Sequence, residues 1–140
     1  MLYIGSDHAG YKTKQLIIEY FKKQNIDFVD MGTHSEESCH YPVIAKAVCE
    51  KIQDGDVGVL ICGTGLGMSM CANKFYHIRA GLCVNQKQAK MSRKHNNANV
   101  LVLQGRDMSI EKNIGILQMF LKTKFDGGRH EERIKMFSKA

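Results

Sequence analysis

A cysteine directly precedes a glycine-rich turn near the middle of the chain. Residues 57–69 read VGVLICGTGLGMS, and Cys62 is followed by the glycines of the turn, Gly63, Gly65 and Gly67. Such a turn at the start of a helix leaves backbone N–H groups unpaired, and these groups can bind an anion. The positive end of the helix also favours the thiolate, the reactive form of a cysteine side chain. The stretch therefore predicts an anion site beside a reactive thiol.

The spacing of these glycines does not match the commoner nucleotide and nucleophile motifs. The dinucleotide fingerprint GxGxxG lacks its third glycine here, the Walker pattern lacks its lysine, and the nucleophile elbow lacks its serine. A tight connection between a strand and a helix explains the glycines equally well, and a buried structural thiol explains Cys62. The residues alone leave these alternatives open.

Two histidines and two arginines could complete such a site. His8 and His95 each follow an element predicted to end near the carboxyl edge of a sheet, where a histidine can exchange protons near neutral pH. Arg129 and Arg133 share a helix face and suit phosphate oxygens, although a solvated basic tail has the same pattern. The other histidines are expected to lie in loops and to be largely solvated; they are His34, His40, His77 and His130.

The other four cysteines show no metal or disulfide pattern. The chain has five cysteines, an odd number, and no CxxC pair. No histidine and cysteine recur at ligand spacing, so no metal site is predicted. We expect a reduced, cytoplasmic protein in which the remaining cysteines are small apolar filler; they are Cys39, Cys49, Cys71 and Cys83.

Strands and helices are predicted to alternate along the chain. The strands are expected at residues 2–6, 28–29, 57–61, 79–84 and 100–103. The helices are expected at 10–24, from Pro42 to Gly55, after the glycine turn, at 86–94, at 109–122 and in the tail. In the first helix, Lys12 and Lys14 are predicted to face water. The alternation indicates an α/β domain with a parallel sheet covered on both faces.

Ligands in such folds bind at the carboxyl ends of strands, where the strand order reverses. If the first strand lies between the second and the third, that point falls between the turns after strands one and three. Those turns carry Asp7, His8 and residues 62–67. The sequence therefore predicts that these residues meet.

Composition limits the class of protein. Apolar residues make up 44% of the 140 residues, which predicts one globular domain over 1–140. No run is long enough to span a membrane and no signal peptide is recognisable. The net charge of +6 is explained by solvated helix faces or by an anionic substrate. Nucleic acid is not predicted as a partner, because no basic run is interleaved with aromatic residues.

Six motifs together resemble the ribose-5-phosphate isomerase B family, a branch of the ribose and galactose isomerases. They are SDHAG, TH-SEES-YP, ICGTGLG, ANKF-IRA, SRKHNNANVL and GGRHEER, and they span residues 3–135. The resemblance implies a three-layer α/β/α sandwich around a five-stranded parallel sheet, of the Rossmann-like kind. It also implies an aldose–ketose isomerase that uses no metal and no organic cofactor.

The resemblance further implies catalytic roles. Cys62 would be the base that moves a proton between C1 and C2 of the open-chain sugar. His95 would open the furanose ring with help from Asp7, and Thr64 would hold or relay a proton at the C1 and C2 oxygens. The backbone N–H groups from Gly63 to Gly67, including that of Leu66, would form the anion hole.

Binding roles follow from the same resemblance. The phosphate would be bound by His8, Arg129 and Arg133, and the sugar would be contacted by Tyr41, Asn96 and Arg106. Family members build this site across a homodimer interface, or in a dimer of dimers. The tail, residues 127–140, would therefore reach the pocket of the partner subunit.

The chain departs from the family pattern at two positions. His40 stands where an aspartate is usual before Tyr41, and His77 stands where a glycine is common. Because His40 adjoins the sugar contact Tyr41 and lies outside the catalytic set, this departure bears on the choice of substrate rather than on the type of reaction. The alternatives are an isomerase of allose- or galactose-6-phosphate, and a non-catalytic phosphate- or nucleotide-binding module.

Overall fold

The computed structural model describes residues 1–138 and contains five strands and six α-helices, which alternate up to the fifth helix and are followed by the sixth. The strands are β1 (Leu2–Ser6), β2 (Val29–Asp30), β3 (Val57–Cys62), β4 (Ala80–Leu82) and β5 (Val100–Gln104). The helices are α1 (Tyr11–Lys23), α2 (Tyr41–Lys51), α3 (Leu66–Ala72), α4 (Gln86–Lys94), α5 (Ile110–Lys122) and α6 (Arg129–Lys135). The last two residues of the predicted tail, 139 and 140, lie outside the described residues.

The strands form a single parallel sheet. Their order is β2-β1-β3-β5-β4, so β1 lies between β2 and β3, which is the condition for the turns after β1 and β3 to meet. Ser6 is level with Ile61, and Cys62 is level with Gln104. The turns that follow β1, β3 and β5 therefore meet at one edge, which we call the carboxyl edge.

Helices cover both faces of the sheet, which confirms the predicted three-layer fold. Side chains alternate along β3 because successive residues of a strand point to opposite faces. Val59 and Ile61 pack into a core with α1 and α5. Leu60 and Cys62 pack into a second core with α2 and α3. The thiol of Cys62 thus belongs to the α2–α3 side of the molecule.

Most element boundaries agree with the sequence, and the clearest difference is at the end of α2. Pro42 lies in the first turn of this helix, as predicted. The helix ends at Lys51 rather than near Gly55, because Ile52 adopts an extended backbone conformation (φ −70°, ψ 125°). The exposed turn that follows leads into β3.

Lys14 is not solvated, contrary to the prediction from helical spacing. Its side chain is fully buried, and Nζ lies 2.8 and 2.9 Å from the two carboxylate oxygens of Asp30. The carboxylate also accepts the N–H of Gly32 at 2.9 Å. This ion pair ties α1 to the end of β2, and the bond from Gly32 ties the following loop to the same carboxylate.

The cysteines differ in burial, and all five are free thiols. Cys49 and Cys83 are buried, as expected of apolar filler, and burial raises the pKa of both thiols. The pKa of Cys49 reaches about 12. Cys39 and Cys71 are only half-buried.

The C-terminal helix folds back onto its own chain. Ile134 of α6 is buried, and the Ser138 hydroxyl donates to the carbonyl of Tyr76 at 3.0 Å. Arg79, just before β4, donates to the same hydroxyl at 3.4 Å. Over residues 1–138, no helix is both long and apolar enough to cross a membrane.

Candidate active site

Cys62 ends β3 at the carboxyl edge and is buried, with 5% of its surface exposed. Its carbonyl accepts the N–H of Gly105 at 2.8 Å, and the carbonyl of Gly63 accepts the N–H of Arg106 at 3.1 Å. These bonds carry the pairing of β3 and β5 past the end of the sheet. The guanidinium of Arg106 consequently lies over Gly63, where a Cβ atom would be 3.3 Å from Nη1.

The glycine turn connects Cys62 to α3 through a left-handed residue. Gly65 has φ +81° and is the N-cap of the helix. The ring of Tyr41 covers the first turn of α3, since a Cβ atom on Gly67 would lie 2.6 Å from it. The exposed Thr64 bends back, and its hydroxyl accepts the N–H of Leu66 at 3.2 Å. This N–H is therefore available to a ligand only when the Thr64 hydroxyl turns away.

Asp7 lies beside Cys62 on the neighbouring strand. Its N–H donates to the carbonyl of Ile61 at 3.1 Å, which places it one residue past the Ser6–Ile61 pair. Asp7 is 7% exposed, and its carboxylate accepts the N–H of Gly10 at 3.1 Å, capping a short 3-10 turn. Asp7 is thus held at the switch point that the sequence predicts.

His8 joins this edge to the polar loop before α2. Its Nδ1 accepts the N–H of Cys39 at 3.2 Å. The other ring nitrogen, Nε2, is left to donate to a ligand. We call the residues gathered here the carboxyl-edge group; it comprises Asp7, His8, Tyr41, Cys62, Gly63, Thr64, Gly65, Leu66, Gly67 and Arg106.

His95 does not lie at this edge, so the prediction of its position is wrong. It follows α4, and a helix between parallel strands returns the chain to the amino edge of the sheet. The carbonyl of Asn99 accepts the N–H of Gly58 at 2.9 Å, near the start of β3. Gly58 and Cys62 are separated by four residue steps, or about 13 Å along a strand. His95 therefore lies at the opposite edge from the thiol.

The remaining predicted residues accompany His95. Its ring stacks on His130 of α6, with centroids 4.3 Å apart and planes inclined by 12°. Arg129 and Arg133 flank His130 on the same helix, and Asn96 follows His95. We call these residues the amino-edge group; it comprises His95, Asn96, Arg129 and Arg133.

His130 is a neighbour of the site that the sequence did not indicate. The sequence predicts a largely solvated side chain, whereas His130 is half-buried in the stack with His95. Burial lowers the pKa of His130, and the charges of His95, Arg129 and Arg133 lower it further, while Asp126 opposes the shift. The local sequence RHEER, which contains His130, does not indicate this contact, because His95 lies 35 positions earlier in the chain.

Two of the cavities formed by residues 1–138 are informative because Cys62 is not in their lining. One, of about 670 Å³, is lined by Arg79, Arg93 and Asn97 at the amino edge. The other, of about 550 Å³, lies along β4 and is lined by Asn96. Neither of these two cavities is lined by the carboxyl-edge group.

Comparisons with known proteins agree with this architecture. A family model described as Ribose/Galactose Isomerase matches residues 2–137. Ribose-5-phosphate isomerase B of Escherichia coli K12 is 38% identical over 133 residues, which cover 94% of this chain and 89% of that protein.

Two solved structures are similar over nearly their whole length. The ribose 5-phosphate isomerase of Thermotoga maritima has a TM-score of 0.96 and 46% identity, covering 99% of this chain and 97% of that one. Ribose-5-phosphate isomerase B of Mycoplasma genitalium, solved with bound ribulose-5-phosphate, has a TM-score of 0.92 and 42% identity, covering 96% and 91%. The chain therefore belongs to the ribose/galactose isomerase family and is a sugar phosphate isomerase related to ribose-5-phosphate isomerase B.

Proposed function

We propose that this enzyme interconverts ribose 5-phosphate and ribulose 5-phosphate, a reaction of the non-oxidative pentose phosphate pathway, with Cys62 as the base. The observation that carries the proposal is the position of the thiol. Cys62 is buried at the carboxyl edge, level with the turn that holds Asp7 and directly before the glycine turn. The proposed base, the Asp7 carboxylate and backbone donors are thereby gathered where an α/β fold binds its ligand.

The proposed reaction begins with ring opening. His95 donates a proton to the ring oxygen while Asp7 assists removal of the proton from the anomeric hydroxyl. The Cys62 thiolate then takes the proton from C2 of the open-chain aldose, which leaves an enediolate. Thr64 relays a proton between the C1 and C2 oxygens, and Cys62 returns its proton to C1 to give the ketose.

The glycine turn would stabilise the enediolate. Negative charge develops on the former carbonyl oxygen, and fixed N–H donors at Gly63, Gly65 and Gly67 can bind it. Each such donor is worth about 3–4 kcal/mol in comparable oxyanion holes. The Leu66 N–H joins them when the Thr64 hydroxyl leaves it to take part in the proton relay.

Phosphate binding is assigned to residues away from the reacting carbons. His8 donates from Nε2, because Cys39 occupies Nδ1. Arg129 and Arg133 supply guanidinium forks, which suit phosphate oxygens. Tyr41, Asn96 and Arg106 contact the sugar. Contacts of this kind hold the open-chain sugar in register with Cys62.

A homodimer would bring the two groups together. Within one chain they lie at opposite edges of the sheet, so His95, Arg129 and Arg133 cannot act on a sugar bound at their own chain's Cys62. We propose that the tail from residue 127 onward reaches the partner's carboxyl-edge group. Exposed apolar side chains beside the glycine turn support an interface there: Leu66 is 53% exposed, and Met70, one turn along α3, is 67% exposed.

Both groups are present in this one chain, which favours a self-sufficient pentose enzyme. Galactose-6-phosphate isomerases resemble it but are assembled from two related chains. The test is to assay the purified protein on ribose 5-phosphate, allose 6-phosphate and galactose 6-phosphate with a chelator present. We expect the highest kcat/KM for ribose 5-phosphate. A higher value for a hexose phosphate would reassign the substrate, and nucleotide binding without any turnover would refute the isomerase proposal.

A further inference from the structure

Three potential metal ligands meet at the amino edge, outside the carboxyl-edge group. One ligand atom from each of His95, Asp126 and His130 lies within 4.8 Å of the other two. The sequence hides this cluster, since it joins the end of α4, the segment before α6 and α6 itself. None of the proposed steps of the isomerisation uses Asp126 or His130.

Backbone hydrogen bonds hold the three residues in place. The N–H of Asp126 donates to the carbonyl of Lys94 at 3.0 Å, one residue before His95. The N–H of His95 donates to Met91 at 2.9 Å, and that of His130 donates to Gly127 at 3.3 Å. The main chain thus fixes the spacing of the side chains, whose outer torsions remain soft.

We propose that His95, Asp126 and His130 bind a divalent first-row transition metal ion of the Zn²⁺ class, and that the bound ion inhibits the enzyme by occupying His95. The ion is not a catalytic cofactor. It competes with the proton that His95 must carry, so the site makes the isomerase sensitive to free metal.

The donor set suits such an ion. Two imidazole nitrogens and one carboxylate oxygen, with water in the fourth position, form a common Zn²⁺ coordination sphere. Bond lengths of about 2.0–2.1 Å in tetrahedral geometry require the donors to be about 3.3 Å apart. The distance between any two of the ligand atoms must therefore shorten by about 1.5 Å at most when the ion binds. The stacked rings must also splay, because a metal ion lies in the plane of each imidazole that binds it.

Some of the charges near the cluster favour binding of a cation, and others oppose it. The C-terminal end of α4, which has nine residues, presents its carbonyls at His95 and favours a cation. Arg129 and Arg133 disfavour one, as does the adjacent Lys94. We therefore expect affinity in the micromolar range, weaker than that of a structural zinc site.

Metal binding is independent of the proposed function, whereas the inhibition rests on it. Binding is measured by titrating the tag-free full-length chain with Co²⁺, followed by its visible absorption, and with Zn²⁺ by calorimetry. We expect one ion per chain and at least about tenfold weaker binding in Asp126→Asn and in His130→Gln.

Matched controls make this titration decisive. Glu132→Gln removes a carboxylate from the same tail, and His34→Gln removes an exposed histidine elsewhere. Both should bind like the wild type, and so should Cys62→Ser. Equal affinity in wild type and Asp126→Asn, or loss of binding in Cys62→Ser, would overturn the proposal, because the ion would then lie elsewhere.

Inhibition is measured on ribose 5-phosphate. Zn²⁺ should inhibit the wild type, and a chelator should restore activity. Asp126→Asn should keep its basal rate and need at least about tenfold more Zn²⁺ for half-inhibition. Equal sensitivity of the two proteins would overturn the inhibition. Inactivity of the metal-free wild type on every sugar phosphate would refute the proposed function and the inhibition with it, while the Co²⁺ titration would still decide the site.

Discussion

Gly65 determines the shape of the turn that follows Cys62. Its φ of +81° lies in the left-handed region, which disfavours any side chain. Space is also lacking, since a Cβ atom there would collide with Cδ1 of Leu82 and lie 3.4 Å from the carbonyl of Leu103. Both constraints come from elements that pack against the turn, so the proposed anion hole depends on them.

Replacing Gly65 should therefore lower the free energy of unfolding by more than the strain of a left-handed backbone alone would. Gly55 is the matched control, because its φ is +86° and a Cβ atom there meets nothing within 4 Å. We expect Gly55→Ala to lower the free energy of unfolding by about 1 kcal/mol. Gly65→Ala should lose about 1–3 kcal/mol more and most of its activity. Urea unfolding of both variants measures the difference, and equal losses would contradict the packing argument.

Arg133 tests the proposed phosphate contact. Arg133→Ala should raise KM for ribose 5-phosphate by about tenfold or more and lower kcat less, because phosphate binding is remote from the reacting carbons. Lys135→Ala is the control, since it removes a positive charge from the same helix. Steady-state kinetics distinguish the two. An unchanged KM in Arg133→Ala would remove this residue from the phosphate site.

The sequence indicated some single residues of the site and missed others. Cys62 and Asp7 could be placed because each directly follows a recognisable strand. The stack of His130 on His95 could not, because it depends on how the tail folds back. The bond from Leu66 to the Thr64 hydroxyl is also invisible to pattern reasoning, since it depends on the orientation of one side chain.

At the scale of elements, a buried ion pair joins α1 to the sheet. Lys14 is fully buried, whereas the side chain of Asp30 remains 27% exposed. Removing Asp30 should destabilise the fold more than removing Lys14. Without Asp30 the buried Lys14 charge has no partner, whereas without Lys14 the Asp30 carboxylate still reaches water. The loop held by Asp30 also pairs with β1, where Ser6 donates to the carbonyl of Gly32 at 2.7 Å.

We expect Asp30→Ala to lower the free energy of unfolding by about 3–5 kcal/mol. Lys14→Met should cost less, because it keeps the apolar stem and leaves a carboxylate that reaches water. Glu36→Ala is the control: it breaks an exposed pair with Lys12 at 3.8 Å and should change stability by less than about 1 kcal/mol. Denaturant unfolding gives all three values. A larger loss in Lys14→Met than in Asp30→Ala would contradict this account.

Periodicity predicted the elements well and their ends less well. The alternation of apolar strands and amphipathic helices predicted the α/β fold and the turn at Cys62. It did not predict the order of the five strands. The error at His95 arose from treating the end of a helix like the end of a strand. Lys14 was misplaced for another reason: spacing alone cannot show that Asp30, sixteen positions away, neutralises it.

At the scale of the whole molecule, the separation of the two groups is the main feature. One chain places the proposed base at one edge of the sheet, and the proposed ring-opening acid and phosphate-binding arginines at the other. A two-fold symmetric dimer repeats each contact twice, so it would build two complete sites from two such chains. The net charge of +6 is compatible with the anionic substrate that these sites would bind.

Subunit complementation tests this arrangement. Cys62→Ala and His95→Gln are each expected to be nearly inactive. If sites are shared, a refolded equimolar mixture contains mixed dimers with one intact site each, and roughly a quarter of the wild-type activity returns. If both residues act within one chain, no mixture regains activity. The mixture of Cys62→Ala with Arg133→Ala provides a second, independent pair.

The proposed isomerisation depends on Cys62 as the base. The most direct measurement compares kcat for ribose 5-phosphate between the wild type, Cys62→Ala and Cys71→Ala, with thermal unfolding confirming that each is folded. Loss of a general base typically lowers the rate by about 10²–10⁴-fold, and we predict a fall of this size in Cys62→Ala. Cys71→Ala, which removes a half-buried thiol of α3, should retain its activity. Turnover by Cys62→Ala at the wild-type rate would contradict the account.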